Sequence, residues 1–255
     1  MKILFPKYCG QRYWTMQYKY ILNMFIYAGC EVVFYPYKDN FFLNIDGKDF
    51  FVDIAEYPTP NDYKIPTLKF HCHKEEGNAI PFSPMSFDNW EEFYNLSKTV
   101  KYNAKGFISS RQRIYGNAIE RRTKIQALLK NAYGAQTETG IIDKSNYFKE
   151  ISNCLVPVCV PGQNNNLLDR GQFQYMGLGA CTISPNLPEI LPYSKTLIAG
   201  EHYIRCKEDY SDLFTLIEWC RNNTNKCIEI GENAKQLFLN TSTPNKLIEW
   251  IETKL

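Results

Sequence analysis

Three arginines stand where a chain of alternating strands and helices could meet an anion. Arg111 and Arg113 belong to Ser109-Ser-Arg-Gln-Arg113, which follows a strand-like run, and Arg170 opens a helix behind the polar loop that begins at Gly162. A guanidinium forks onto two oxygens of a phosphate, and a helix start adds backbone N–H groups pointing at the same charge. Such groups stabilise negative charge on a leaving phosphate without a metal. A structural reading stands beside each. Arg170 can pair with Asp169, and the 109–113 stretch can be a solvated basic loop, since Arg121, Arg122 and Lys124 continue the charge onto an expected exposed helix face.

Acid–base candidates lie earlier. Asp53 sits inside the apolar run Phe-Val-Asp-Ile, with Glu56 close behind, and His71-Cys-His73 ends another strand-like run. In an extended strand His71 and His73 share a face, as two zinc ligands would. No third or fourth ligand follows at metal-like spacing, so no metal site is expected. Further on, Gly177-Leu-Gly179-Ala180 can close a helix tightly and bring a strand close behind it. It lacks the spacing of a dinucleotide fingerprint. Glu189 follows a strand end, where open α/β sheets bind ligands, and Glu201 is the other acid of that region. His202 stands at a loop-to-strand junction, a place where a lone histidine more often holds structure than reacts. Asp209 or Ser211 reads as a helix cap.

The elements that must position these residues alternate. A strand at 2–5, a helical run at 13–28 stopped by Gly29, and a strand at 30–35 make a βαβ opening. Two strand-like runs flank Asp46-Gly47, a hairpin turn pair. A strand at 65–71 and a helix at 88–98 complete the first half. The pattern restarts near residue 103 with a strand at 104–109, a helix at 116–132 and a short strand at 140–143. A helix at 147–152, a strand at 154–160 and the Arg170 helix follow. Strands at 180–184 and 196–199 and a helix at 210–222 finish the alternation. The expected fold is therefore α/β, with domains at 1–103 and 104–243 and a last helix at 244–255.

Composition excludes some classes. Lys and Arg number 29 against 27 acidic residues, a net charge of +2, which gives no basic field for nucleic acid. No run approaches the roughly 20 apolar residues of a membrane span, and the first residues lack a signal-peptide core. The nine cysteines form no Cys-x-x-Cys pair and read as reduced core residues of a soluble, cytoplasmic protein. The 18 tyrosines and 16 phenylalanines suit packed cores and sugar-stacking clefts alike.

From Leu167 to Leu213 the order is an Arg-led helix, a Gly-Leu-Gly-Ala turn, a strand ending in Ser-Pro, then His202-Tyr-Ile and Asp209-Tyr-Ser-Asp-Leu213. That order resembles the donor-binding half of GT-B glycosyltransferases, and most of all the capsule-associated xylosyltransferase and protein O-glucosyltransferase group. The resemblance spans about residues 104–240, and the earlier part only by general architecture. It implies two Rossmann-like domains with a cleft between them, the first one short, and the terminal helix packing back on the first. It implies a nucleotide-sugar donor, a UDP-sugar carrying xylose or glucose, and a glycan or other hydroxyl acceptor. Arg170, Arg111 or Arg113, Gly177, Gly179, Glu189 and His202 would hold the donor, and Asp53 or His71 would serve as base. Without a strand-flanked Asp-x-Asp, transfer would be metal-independent and cofactor-free, with inversion the simpler outcome and retention compatible. The setting it suggests is glycan synthesis before export, in a bacterium or a large DNA virus. A nucleotide- or sugar-binding module without activity is the second reading. A different α/β enzyme acting on phosphorylated metabolites is the third, weakened by the missing GxxxxGK[ST] loop.

Overall fold

The structure is a computed structural model and describes residues 1–7, 14–36, 41–54, 62–69, 72, 75–82, 90–114, 116–162, 168, 170–187 and 197–255, the side chains of 14–17 excepted. The chain divides into two compact units, one containing Met1–Phe93 and Asn240–Leu255, the other Tyr94–Pro188 and Thr196–Leu239.

The first unit is built on a six-stranded sheet. β1 (Lys2–Pro6), helix α1 (Trp14–Tyr27) and β2 (Glu31–Tyr35) form the βαβ opening, with β1 and β2 parallel. β3 (Phe42–Ile45) and β4 (Lys48–Asp53) form the hairpin that Asp46-Gly47 announced, registered from Phe42 opposite Phe51 to Ile45 opposite Lys48. Asp46 and Gly47 both take positive φ, 47° and 93°, as the two-residue turn matching strand twist requires. β5 (Thr67–Lys69) and β6 (Ala79–Pro81) extend the sheet in parallel, giving the order β2-β1-β3-β4-β5-β6. Because β3 runs against β1 and β4, the sheet is mixed, where a Rossmann-like domain would be parallel. The hairpin turn is too short for a crossover, which forces the reversal.

Alternation decides which face packs. Ile3, Phe5, Leu43, Ile45, Phe50 and Val52 are buried against Ile21, Met24 and Phe25 of α1 and against Leu247, Ile248 and Ile251 of the C-terminal helix, Pro244–Glu252. Each such side chain contributes about 1.5–3 kcal/mol by leaving water. The terminal helix is fixed further by Trp250, whose Nε1 donates to the Pro81 carbonyl at 3.0 Å. Lys48 adds a tie, its Nζ donating to the Lys254 carbonyl at 2.5 Å. Helix α2 (Trp90–Thr99) carries the chain out of this unit.

The second unit holds β7 (Ile108–Ser110), α3 (Ile119–Tyr133), β8 (Thr137–Thr139), α4 (Lys144–Asn153) and β9 (Val156–Pro157). α5 (Arg170–Gly177), β10 (Ile183–Ser184), β11 (Ile204–Arg205), α6 (Leu213–Asn222) and α7 (Thr224–Thr241) follow. β8, β7 and β9 pair in parallel in that order, and so do β10 and β11. One parallel bridge, Val158 with Ile183, joins the two sets. The spatial order is thus β8-β7-β9-β10-β11, that of a doubly wound parallel sheet. Two expected strands move. The strand falls at 137–139 and not at 140–143, because Asp143 is the N-cap of α4, its carboxylate accepting from the Asn146 N–H at 2.9 Å. At 197–203 the backbone turns back on itself, and the strand is β11 beyond it. No described helix is long and apolar enough to cross a membrane.

Candidate functional site

In the second unit the chain leaves β7 for β8 through α3 and returns past β7 to β9 through α4. Connections from β7 and β9 therefore depart in opposite directions, which makes the carboxyl ends of these two strands a topological switch point. Open α/β sheets bind ligands at such a switch point. The loops there, 111–114 after β7 and 158–162 after β9, are stitched together by side chains. Gln112 accepts from the Val160 N–H, and Gln126 donates to the Gln112 carbonyl at 2.9 Å. Arg122, only 4% exposed, donates to the carbonyls of Val160 at 3.0 Å and Arg113 at 2.7 Å. Arg121 donates to those of Pro161 and Gly162 at 2.5 and 3.0 Å, and the Tyr210 hydroxyl to that of Cys159 at 3.0 Å. Charged donors make strong, geometry-fixing bonds, so side chains hold these two loops to one another.

The three arginines fare differently. Arg111 is drawn into the fold: Nε donates to Glu150 at 2.6 Å, Nη2 to Glu138 at 2.8 Å, and Nη1 to the Thr139 carbonyl. The Glu150 hydrogen bond, foremost, raises the Arg111 pKa further. Ser109 completes the network by donating to Glu150 at 2.8 Å. Arg113, two residues on, is exposed. Arg170 is the first residue of α5 and is exposed, at the end of the helix that faces the carboxyl edge of the sheet.

The other end of α5 explains the glycine turn. The N–H groups of Gly179 and Ala180 return to the carbonyls of Met176 and Tyr175, both at 2.9 Å, and Gly179 has φ +72°: a Schellman cap. Gly231 of α7 packs on that turn so closely that a Cβ there would lie 1.9 Å from the Gly179 carbonyl oxygen. Gly177 is the last, buried residue of α5. The turn fixes α5 from behind.

Among the groups buried at this edge without a hydrogen-bond partner among the described residues are both amide atoms of Gln172, the Ser110 hydroxyl and the Ser184 hydroxyl. Gln172 lies in the first turn of α5, and the serines end β7 and β10.

The His202-to-Leu213 segment is structural in its contacts. His202 accepts through Nδ1 from the Ile198 N–H at 3.1 Å, and burial lowers its pKa against the opposing pull of Glu201. The Tyr203 hydroxyl accepts from the Leu187 N–H at 3.3 Å. Asp209 does not cap α6. It accepts from the Ser211 N–H at 3.0 Å, while Asp212 reaches back to the Lys207 N–H at 2.9 Å.

In the first unit Asp53 ends β4 and accepts from the Tyr63 hydroxyl. Lys69, its register partner on β5, is buried with Nζ 5.3 Å from the Tyr63 ring centroid. Phe42, Phe51, Tyr63, Lys64, Ile65 and Thr67 line an adjoining pocket of about 240 Å³. His71, His73, Glu56 and Glu189 lie outside the described residues. All eight described cysteines are unbridged, and all but Cys30 are buried. No cluster of three metal-ligating side chains occurs among the described residues.

Comparison with known proteins adds short stretches of sequence identity and a distant structural likeness. No protein-family model matches the chain. A 46-residue stretch, 18% of the chain, is 46% identical to uncharacterized protein 035R of Invertebrate iridescent virus 3. A 51-residue stretch, 20% of the chain, is 33% identical to uncharacterized protein 179R of Invertebrate iridescent virus 6. Each match spans only 4% of the viral protein's length. Among solved structures, Anabaena Alr3699/HepE in complex with UDP aligns over 64% of this chain and 55% of its own, with a TM-score of 0.43 and 11% identity.

Sequence reasoning missed Gln112, Arg122, Gln126 and Tyr210, which build the edge. Arg122 was expected on an exposed face, yet it is buried in line with Ile125 and Leu129. That three-and-four spacing was the available signal. Gln112 acts on the Val160 N–H and Tyr210 on the Cys159 carbonyl, and contacts with backbone groups leave no pattern in a sequence.

Proposed function

We propose that the chain is a glycosyltransferase of GT-B type that moves a sugar from a nucleoside diphosphate, a UDP-sugar of xylose or glucose, to a glycan or other hydroxyl acceptor. The observation that carries this reading is Arg170 at the head of α5, at the carboxyl edge of a parallel sheet with its switch point between β7 and β9. The guanidinium and the helix N-terminus would take the diphosphate and its developing charge. Arg113, exposed on the neighbouring loop, would be the second cation, since the Arg111 guanidinium is held by Glu150 and Glu138. Gly177 and Gly179 would serve the donor by fixing α5, and His202 by holding the turn before β11. Glu189 would take the ribose hydroxyls. In this scheme residues 104–243 bind the donor, 1–103 bind the acceptor, and no metal is required.

On the acceptor side Asp53 is the base we assign in preference to His71. A carboxylate accepting from the Tyr63 hydroxyl can take the acceptor hydroxyl's proton as that oxygen attacks the anomeric carbon and the nucleoside diphosphate departs, a displacement that inverts the centre. The Phe42, Phe51 and Tyr63 rings beside it offer faces to the C–H bonds of an acceptor sugar, attracted by the negative ring face. The viral stretches accord with a large-DNA-virus setting.

The test is transfer from UDP-xylose or UDP-glucose to hydroxyl acceptors by wild type and Asp53→Asn. Activity in wild type and its loss in the variant, with UDP binding retained, is the expected result. UDP binding with no transfer by the wild-type chain to any acceptor would instead identify a binding module.

A further inference from the structure

Gln172 combines complete burial with an unused amide: it is 0% exposed and neither Oε1 nor Nε2 has a hydrogen-bond partner among the described residues. Ser184, also 0% exposed, has an unused hydroxyl. Buried polar groups without partners are rare and costly, and each calls for a water, an ion or a ligand. The two belong to one side of the sheet. Ser109 faces α4, since its hydroxyl bonds Glu150. The registers Ser109–Pro157 and Val158–Ile183 then put Ser184 on that same side, by strand alternation. α5 lies there too, its Tyr175 hydroxyl 3.2 Å from that of Tyr147 on α4. Gln172 in the first turn of α5 and Ser184 at the end of β10 therefore share the carboxyl edge on one face. Ser110 turns to the opposite face.

We propose that Gln172, with Ser184, is a specificity residue that reads the hydroxyls of a sugar ring in the bound nucleotide; the inference rests on the donor-binding role given above to the second unit. Chemistry separates a ring hydroxyl from a phosphate here. A phosphate oxygen only accepts, so it would satisfy the amide nitrogen and leave Oε1 orphaned beside negative charge. A hydroxyl both donates and accepts, and a vicinal pair can engage the two amide atoms at once. The Ser184 hydroxyl supplies another donor and acceptor of the same kind. Within this division of labour Arg170, at the exposed start of α5, takes the phosphates, and Gln172 takes the uncharged ring. Two rings in the ligand carry such hydroxyls, the ribose and the transferred sugar.

The experiment is isothermal titration of the full chain and of Gln172→Met, an apolar replacement of similar shape, with UDP, 2′-deoxy-UDP, UDP-glucose and UDP-xylose. In wild type the contact makes UDP bind about three- to tenfold tighter than 2′-deoxy-UDP if the ribose is read, or a UDP-sugar tighter than UDP by that factor if the transferred sugar is read. In Gln172→Met whichever preference exists collapses to near unity, while melting of the free protein stays level or rises. Ser184→Ala, which removes one atom and folds, reduces the same preference. Equal preferences in wild type and both variants overturn the proposal and leave nucleotide binding standing. In that case a buried water is the partner, and the free Gln172→Met protein melts lower. Absence of binding by the wild-type chain to all four ligands overturns this inference together with the function on which it rests.

Discussion

Gly231 and Gly179 touch through their backbones: a methyl group on Gly231 would lie 1.9 Å from the Gly179 carbonyl oxygen and 2.8 Å from its carbonyl carbon. α7 thus braces the turn that ends α5, and through it the helix start that carries Arg170. A mid-helix glycine ordinarily gains about 1 kcal/mol on replacement by alanine. Here the sign reverses. Gly231→Ala should cost about 3 kcal/mol, as overpacking against backbone does, and lower the melting temperature by roughly 6–12 °C in a chain of this size. Calorimetry of the variant checks this, and an unchanged melting temperature would show that α7 does not bear on the turn.

Arg111 and Arg170 should separate cleanly. Arg111→Ala leaves the buried Glu150 carboxylate without its cation, a loss of about 3 kcal/mol for a broken buried pair, and should lower the melting temperature while folded protein keeps its affinity for UDP. A loss of affinity with no loss of stability would return Arg111 to the binding site.

Arg170→Ala should do the reverse. Arg170 is exposed, so stability should change by no more than about 0.5 kcal/mol. UDP binding should weaken by about 1.5–3 kcal/mol, the range for a hydrogen bond to a charged group. Unchanged titration isotherms would remove it from the phosphate site.

His202 gives a pH signature. Burial lowers its pKa, so the unfolded chain binds the proton more readily than the folded one, and stability rises with pH across that interval. The contribution is complete above the ordinary histidine value near 6.5 and is lost as pH falls through the lowered folded value. Protonation of Nδ1 also removes the acceptor for the Ile198 N–H. Wild type should therefore lose stability between pH 7 and 5 more steeply than His202→Gln, by denaturant titration. Parallel curves would contradict the assignment.

Local chemistry was legible and long-range packing was not. Asp46-Gly47 announced its hairpin because two positive-φ residues in succession have little other use, and Arg170 announced a helix start. α7 went unread, although Cys227, Ile230, Ala234 and Phe238 are buried along one stripe. A thiol and an alanine blur the apolar period, and Gly231 reads as a breaker until the carbonyl it accommodates is known. Arg122 followed the same logic: its charge suggested solvent, whereas the side chain is buried and donates to the carbonyls of Val160 and Arg113. The pairing of Gly179 with Gly231 of α7, some fifty residues away in sequence, has no local trace.

The most direct measurement of the central claim is a thermal-shift series on the purified chain with UDP, GDP, CMP, dTDP and ADP, each with and without EDTA. A ligand that binds only the native state raises its melting temperature with saturation. The expected result is a selective rise with UDP that persists in EDTA, as phosphates held by arginine and a helix end would give. No rise with any nucleotide would contradict it.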